Sequence, residues 1–389
     1  MNFTAFPNSK SVDPFGAVVF SHLRWNFVFQ RPQHLLSRFA KRHDVIFIEE
    51  PLFHDDDPRF VLTETNEGVT VAVPHLRNGT DQTEIDRVMK SLVKELVTRQ
   101  KFSNYIAWYY TPMMLEWSEQ LDPAITVYDC MDELSAFKNA PELLKLREAE
   151  LFGLADLVFT GGRSLYNVKR EQHEAVYCFP SSIDVEHFAR ALDPKADAEP
   201  EDQKGIARPR VGFFGVIDER TDIELLREMA ELRPDLQFVM IGPVVKISEE
   251  DLPKANNIHY LGGKSYDELP DYIAGWDVAM MPFALNESTR FISPTKTPEY
   301  LAAGRPVVST PISDVVRPYG EAGLVRIAGT AEQFVRAIDE ALNEDAAERR
   351  AKAEEFLATM SWDKTYEAMS ELIEDAIAAN EKQYFETSV

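Results

Sequence analysis

The sequence contains little cysteine and no long hydrophobic run. Its two cysteines, Cys130 and Cys178, lie in apolar, strand-like segments, so we interpret them as reduced core residues and exclude a disulfide framework. No stretch of about 18 apolar residues is present, and the N-terminus lacks the charged-then-apolar pattern of a signal peptide. These absences predict a soluble, cytoplasmic protein.

Positive charge is also scarce, because 41 Lys and Arg residues stand against 65 Asp and Glu residues, for a net charge of −24. This balance predicts that the chain binds no nucleic acid through its overall field. The exception is the first predicted helix, where five basic residues cluster: Arg31, Arg38, Lys41, Arg42 and His43. Two interpretations stay open. The cluster is a solvated surface near a helix C-terminus, or it is a patch for a phosphorylated or membrane-bound acceptor, with peripheral contact at the inner face of the membrane.

The motifs of several common chemistries are missing. There is no Walker loop, no G-x-G-x-x-G after the first strand, no zinc-ligand spacing of His and Cys, and no G-x-S-x-G turn. The C-terminal half has no Asp-x-Asp-like metal motif, and residues 55–57 read as a polar loop. We therefore expect neither a metal nor a bound cofactor.

The sequence does contain apolar strand-like runs that alternate with helical patterns along its 389 residues. Such alternation is typical of βαβ units and parallel sheets, and the length suits two domains. Residues 191–210 interrupt the pattern with a polar, proline-containing segment, which we interpret as a linker. The prediction is α/β, with domains over residues 1–190 and 211–360.

The most informative segment is 293–310, which predicts a short helix over 294–302 and a buried strand over 307–309. Ser293 suits the N-cap, Pro294 the first helical position, and Gly304 a left-handed residue just past the helix end. Thr295 and Glu299 are four residues apart and share one face near the helix N-terminus, beside Lys296. That arrangement suits a phosphate, with a carboxylate one turn further in to accept hydrogen bonds from hydroxyls. The alternative is a well-capped helix with an ordinary surface Lys and Glu.

Glycines follow three further predicted strands of the C-terminal half, where open α/β sheets bind ligands. They are Gly215, Gly242 and Gly263, the last followed by Lys264. Arg220 lies in the loop after the first of these strands and has the geometry to chelate phosphate oxygens. Its alternative role is a surface ion pair with a nearby acid: Asp218, Glu219 or Asp222.

The first strand of the N-terminal half opens into a bulky, aromatic loop containing His22, Arg24, Trp25 and Gln30. An exposed aromatic face and an arginine suit sugar recognition, whereas the alternative is that the aromatic residues pack the interdomain surface. Asp129 and Asp132 follow another predicted strand. An aspartate there suits a general base for an acceptor hydroxyl, with Asp132 preferred, or else it caps the next helix.

The helix sequence EYLAAGRPVVST, residues 299–310, is similar to the donor-site helix of GT-B glycosyltransferases, specifically the family-4-like, group 1 type. The resemblance covers nearly the whole chain and is strongest over 205–310. It implies two Rossmann-like, doubly wound parallel-sheet domains that face each other across a cleft. The N-terminal domain would bind the acceptor and the C-terminal domain the donor, and helix 361–380 would pack back on the N-terminal domain.

The resemblance also implies roles for individual residues. Glu299 would bind the ribose hydroxyls of a UDP- or GDP-linked sugar, Arg220 and Lys296 would hold the diphosphate, and the loop at Gly263 the base. The full donor set is Gly215, Arg220, Gly242, Gly263, Lys264, Ser293, Thr295, Lys296 and Glu299. Asp132, Arg220 and Lys296 are the catalytic candidates. The predicted acceptor set, for a glycan or lipid-linked substrate, is His22, Arg24, Trp25, Gln30 and Asp129.

One position departs from the family pattern, since Phe291 stands where a second Glu near the sugar is usual, although polar residues at 286–290 offer substitutes. Metal-independent transfer with retention is the expectation, and a true base at Asp132 would instead favour inversion. Two alternatives stay open: a nucleotide-sugar epimerase on the same scaffold, and a catalytically inactive sugar-nucleotide-binding subunit.

Overall fold

The computed structural model describes residues 15–100, 102, 104–193 and 199–387. Within them the chain builds two sheets, one of nine strands and one of six. The strands of the first sheet are β1 (Phe15–Phe20), β2 (Asp44–Ile48), β3 (Leu52–His54), β4 (Arg59–Glu64), β5 (Thr70–Arg77), β6 (Asn104–Tyr109), β7 (Ile125–Cys130), β8 (Leu157–Thr160) and β9 (Val176–Cys178). The strands of the second are β10 (Arg210–Phe214), β11 (Gln237–Ile241), β12 (Ile258–Tyr260), β13 (Val278–Met281), β14 (Val307–Ser309) and β15 (Val325–Ile327).

The two sheets have the strand orders of doubly wound folds. The first runs β3-β5-β2-β1-β6-β7-β8-β9, with β4 antiparallel to β5, and the second runs β12-β11-β10-β13-β14-β15. All the other strand pairs are parallel. In each sheet the order reverses beside the first strand, between β1 and β6 and between β10 and β13. Ligands of such sheets bind beyond the carboxyl ends of the strands at this switch point.

Helices cover the sheets. They are α1 (Arg31–Phe39), α2 (Gln82–Gln100), α3 (Leu115–Ser118), α4 (Leu144–Leu154), α5 (Arg163–Lys169), α6 (Val185–Ala189), α7 (Glu201–Lys204), α8 (Ile223–Leu232), α9 (Leu269–Ala274), α10 (Lys296–Ala302), α11 (Ser313–Val315), α12 (Ala331–Leu342), α13 (Ala346–Leu357) and α14 (Trp362–Thr387). Central strands such as β1 and β13 are apolar along nearly their whole length and buried, as expected for parallel strands covered on both faces.

The last helix, α14, crosses back to the first sheet. Trp362, Met369 and Ile373 are buried in the same core cluster as residues of β1, β2 and α1. The Trp362 ring also stacks on His34 of α1, with ring centroids 4.6 Å apart. The C-terminus of the chain therefore contributes to the N-terminal core.

The segment predicted as a linker is only partly separate from the second core. Residues 194–198 lie outside the described part of the chain. Gln203 of α7 is fully buried, donates to the Tyr272 carbonyl and accepts from the Trp276 indole N–H. Ile183 and Phe188 already belong to the C-terminal core, so that core begins earlier in the chain than the predicted linker implies. The exact domain boundaries stay a prediction.

The strands β3 and β4 are absent from the sequence predictions. Residues 55–58 are three aspartates and a proline, and this turn-forming composition masks the short strands on either side. Among the described helices, none combines the length and hydropathy that a membrane span needs.

Candidate functional site

A cavity lies between the two sheets, beyond the carboxyl ends of their strands. The N-terminal half lines it with Val28, Phe29, Gln30, Arg31, Met131, Asp132, Gly161 and Ser181. The C-terminal half lines it with Phe214, Gly215, Val216, Arg220, Ile241, Gly242, Pro243, Lys264, Tyr266, Leu269, Phe283, Ile292, Ser293, Pro294, Thr295, Lys296 and Glu299. The switch point of the second sheet opens here, and residues that follow β1, β7, β8 and β9 of the first sheet line the other side, so topology as well as shape makes the cavity the candidate site.

Two glycines shape its floor. Gly215 has φ +142° and Gly242 φ +145°, a backbone region that only glycine adopts without strain. A Cβ at Gly242 would lie 1.8 Å from the Gly215 carbonyl oxygen, and one at Gly215 would lie 2.3 Å from Lys296 Cε. The glycines thus let two strand ends pack together and let Lys296 cross them.

Lys296 places its ammonium group among aromatic rings. Its Nζ lies 5.7, 5.8 and 6.0 Å from the ring centroids of Phe213, Phe214 and Phe283. Part of the side chain is open to the cavity, yet it lies deep enough that burial lowers the pKa of the amine, an effect that the Glu299 charge opposes. A cation in this setting gains from an anionic ligand, which would replace the water it has lost.

Glu299 lies one turn along α10 and is 4% exposed. Burial raises the pKa of its carboxyl group, and the charge of Lys296 opposes the rise. Across the described residues, no group forms a hydrogen bond with its Oε2 atom. A buried acceptor without a partner costs about 1–3 kcal/mol, so this atom is suited to a ligand hydroxyl.

The start of α10 differs from the prediction. The helix begins at Lys296, and neither Ser293 nor Thr295 caps it with a side chain. The predicted N-cap at Ser293 is therefore wrong, and the Ser293 carbonyl instead forms a contact between the two halves, accepting from Ser181 Oγ at 2.5 Å. Ser293 and Thr295 nonetheless line the cavity. Gly304 has φ +67°, which confirms the predicted left-handed residue past the helix end.

Arg220 forms one of the ion pairs that the sequence offered as its alternative role, and its phosphate-binding role stays a prediction. Its guanidinium forms hydrogen bonds of 2.7–3.1 Å with both carboxylate oxygens of Asp218, whose side chain is 2% exposed. Arg220 also lines the cavity and lies over the ring of Phe137, 5.4 Å from its centroid. The ion pair fixes the arginine at the cavity wall.

The predicted base-binding loop is only partly at the cavity. Lys264 lines it, but its ammonium is 2.6 Å from Asp202 and lies over the Tyr272 ring. Gly263 is not among the lining residues. Lys264 is thus a paired cation, which makes it a weaker candidate for the donor than Lys296.

Of the two candidate acids of the N-terminal half, one lies at the cavity and the other is buried away from it. Asp132 lines the cavity, and burial raises the pKa of its carboxyl group to about 6, opposed by Arg220 and Arg31. Asp129 is fully buried, 2.9 Å from Arg31 Nη2, and does not line the cavity. The expectation that Asp129 meets an acceptor is therefore wrong in this conformation, because its carboxylate neutralises a buried arginine.

The predicted acceptor loop mostly packs inward. Trp25 is 4% exposed, contacts Phe47 edge-on and donates its backbone N–H to Glu49, so the expected exposed tryptophan is wrong. Arg24 also pairs with Glu49, at 2.8 Å. Burial lowers the pKa of His22 to about 4. Like Trp25, neither Arg24 nor His22 lines the cavity, whereas Gln30 lines it and caps α1.

Several cavity residues escaped the sequence predictions, including Phe29, Arg31, Met131, Ser181 and Tyr266. Met131 and Ser181 had a usable signal, since each follows a strand of the parallel sheet as Asp132 does. Arg31 looked like part of a basic surface, but its side chain is buried. Tyr266 had the same signal as Met131 and Ser181, because it lies two residues after the predicted Lys264 in the loop that follows β12.

The basic cluster of α1 does not form one patch. Arg31 is 2% exposed, and Arg38 lies 2.7 Å from Asp363 of α14. His43 packs against Phe15 and Phe39. Lys41 and Arg42 are exposed. Peripheral membrane contact stays a prediction that depends on these two residues.

Phe291 is not a cavity residue. It packs against the core of the N-terminal half, so the position of the usual second acid has become an interdomain contact. The polar residues before it are also occupied elsewhere, since Asn286 caps the turn at Glu287–Thr289 and donates to the Glu219 carbonyl. No group of three or more His, Cys, Asp or Glu residues in the described ranges is arranged to hold a metal ion.

Comparison with known proteins places the site in a family context. Residues 208–344 match the family described as "Glycosyl transferases group 1". A Bacillus subtilis (strain 168) protein named as a teichuronic acid biosynthesis glycosyltransferase, TuaH, is 25% identical over 54% of this chain. The match spans 57% of that relative, little more than half of its length.

Solved structures resemble nearly the whole chain. Sucrose-phosphate synthase from Thermosynechococcus elongatus has a TM-score of 0.67 at 15% identity, covering 94% of this chain and 99% of that one. Trehalose 6-phosphate synthase from Burkholderia multivorans has a TM-score of 0.65 at 13% identity, covering 94% and 99%. HepE from Anabaena in complex with UDP has a TM-score of 0.65 at 12% identity, covering 92% and 100%. The predicted GT-B fold is confirmed, and the resemblance to group 1 glycosyltransferases is confirmed over residues 208–344.

Proposed function

We propose that this chain is a glycosyltransferase that moves a sugar from a nucleoside diphosphate to a glycan or lipid-linked acceptor in the synthesis of a surface polysaccharide. One observation carries the proposal: Lys296 and Glu299 lie one helical turn apart in the interdomain cavity, and the buried Glu299 Oε2 has no partner among the described residues. A cation beside an unpaired carboxylate oxygen matches a phosphate joined to a hydroxyl-bearing ribose.

The donor diphosphate would lie against Lys296 and Arg220, at the glycine-lined end of β10. The departing diphosphate gains negative charge as the bond to the sugar breaks, and fixed cations in a cavity with little water stabilise that charge. An approaching phosphate would also favour the charged form of Lys296, whose pKa is lowered by burial. Two protein cations at this point support transfer that is independent of a divalent metal.

The acceptor would approach from the N-terminal half, past Gln30 and Asp132. Asp132 is the cavity acid of that half, and its raised pKa of about 6 leaves it ionised at neutral pH. Transfer with retention is proposed by analogy with the resembling family. The anomeric configuration of the product, read by NMR, decides the point, because inversion would make Asp132 the general base.

The polysaccharide setting is supported by the name of the Bacillus subtilis relative, which assigns that protein to teichuronic acid synthesis. The donor class is supported by HepE, which was solved with UDP. A UDP-linked sugar is therefore the first donor to test, followed by a GDP-linked one.

The test is release of nucleoside diphosphate from UDP-glucose, UDP-glucuronic acid and GDP-mannose, with a cell-wall glycan fraction as acceptor and with EDTA present. We expect acceptor-dependent release with one donor, lost in Lys296→Ala and kept in Lys352→Ala, whose lysine lies on the exposed face of α13. Conversion of the donor to its epimer without an acceptor would contradict the proposal. Nucleotide binding without turnover of any donor would favour an inactive subunit instead.

A further inference from the structure

Tyr266, which follows β12, is held rigidly at the cavity wall by four rings. Phe29 and His187 lie nearly parallel to it, with centroids 4.5 and 4.0 Å away, while His34 and Phe188 meet it edge-on at 5.4 and 5.5 Å. Its backbone carbonyl is also 3.0 Å from His187 Nε2. The rings fix the position of the phenol, and they leave its hydroxyl as the part of Tyr266 that can meet a ligand.

This hydroxyl is buried, and in the described part of the chain nothing forms a hydrogen bond with it. A buried hydroxyl without a partner lowers the stability of the folded state by about 1–3 kcal/mol. Burial also raises the pKa of the phenol, and the negative charge of Glu299 adds to the rise. The hydroxyl therefore stays protonated and can donate.

The same cavity contains a second unpaired atom, Glu299 Oε2. Tyr266 and Glu299 both line this cavity, and the Glu299 charge acts on the Tyr266 phenol, yet neither unpaired atom has a hydrogen-bond partner among the described residues. A ligand that presents two adjacent hydroxyls could pair one with each protein group.

We propose that the Tyr266 hydroxyl bonds one of the two adjacent hydroxyls, 2′ or 3′, of the donor ribose, beside Glu299, to which the family resemblance already gives a ribose-binding role. The assignment of Tyr266 rests on the proposed function, since it needs a nucleotide in the cavity. Because Phe29 belongs to the N-terminal half and Tyr266 to the C-terminal half, the ring contact between them fixes the ribose-binding hydroxyl only when the two halves are together.

The test uses Tyr266→Phe, which removes only the hydroxyl and keeps the ring packing. Isothermal titration with UDP should show affinity about 3- to 10-fold lower than wild type, the value of one neutral hydrogen bond. Thermal stability without ligand should not fall, because the lost hydroxyl has no partner. The matched control is Tyr260→Phe, which removes a hydroxyl that donates to the Pro253 carbonyl outside the cavity, and it should leave UDP affinity unchanged.

Deoxy analogues separate a direct bond from a general effect. With one of the two analogues, 2′-deoxy-UDP or 3′-deoxy-UDP, the difference in affinity between wild type and Tyr266→Phe should disappear, because that analogue lacks the hydroxyl that Tyr266 contacts. An equal loss for UDP and both analogues, or no loss for UDP, would overturn the assignment while leaving the proposed function intact. If the wild-type protein binds neither UDP nor GDP, the proposed function fails and the assignment fails with it.

Discussion

Replacing Gly215 by alanine should damage both the fold and the donor site. The new Cβ would lie 2.3 Å from Lys296 Cε, while carbon atoms in contact prefer about 3.5–4.0 Å, so the lysine must retreat by about 1 Å or more. The backbone at φ +142° adds strain of about 1–3 kcal/mol for any residue with a side chain. We expect the free energy of unfolding to fall by about that amount.

The same change should weaken nucleotide binding, because it moves the Lys296 ammonium away from the strand end. A hydrogen bond to a charged group is worth about 1.5–3 kcal/mol, so the dissociation constant for the nucleoside diphosphate should rise about 10- to 150-fold. Urea denaturation and isothermal titration measure the two effects.

Gly153→Ala is the matched control for this change. It makes the same substitution at the end of α4, where a Cβ meets no atom within 4 Å, and it should lose neither stability nor affinity. Wild-type stability together with wild-type affinity in Gly215→Ala would refute the reasoning.

Two further predictions concern buried acids. If Asp132 is a general base, the rate of sugar transfer should fall as the pH drops through about 6, because the carboxyl group is protonated below its pKa. Asp132→Asn should remove this acid limb from the pH–rate profile. An unchanged limb in the variant would contradict a base role for Asp132. The second concerns Lys169, which is 2% exposed and lies 2.7 and 2.9 Å from the carboxylates of Glu148 and Glu133. In urea denaturation, Lys169→Met should lower the free energy of unfolding by about 3–5 kcal/mol, because it leaves two buried carboxylates without their cation. Lys352→Met, which removes a lysine from an exposed pair, should leave the free energy of unfolding nearly unchanged. Equal stability of the two variants would contradict the prediction that Glu148 and Glu133 need the buried lysine.

The sequence predicted those features that local patterns encode. The alternation of strands and helices predicted the two parallel sheets, because parallel strands that are buried on both faces are nearly continuous apolar runs in the sequence. Gly304 was predictable because a helix end that requires a positive φ favours glycine. Lys296 and Glu299 were found because helix periodicity places them on one face, and the structure brings both to the cavity.

The failures occurred where tertiary contacts decide the outcome. Trp25 and Arg31 have side chains that suit a surface site, and nothing in their local sequence shows that Glu49 and Asp129 are buried beside them. The N-cap at Ser293 failed because the helix begins only at Lys296, and Ser293 instead contacts Ser181 of the other half. Tyr266 was missed although it lies in the predicted loop after β12, because its ring contacts come from distant parts of the chain.

The most direct test of the account is thermal stabilisation by UDP, GDP, ADP and dTDP, measured for the wild type, Lys296→Ala, Glu299→Ala and Lys352→Ala. A ligand at a hundredfold its dissociation constant adds about 2.7 kcal/mol of stability, which gives a clear rise in melting temperature. We predict a rise with one nucleotide in the wild type and in Lys352→Ala, and none in the other two variants. No rise with any nucleotide, or an equal rise in all four proteins, would contradict a donor site at Lys296 and Glu299.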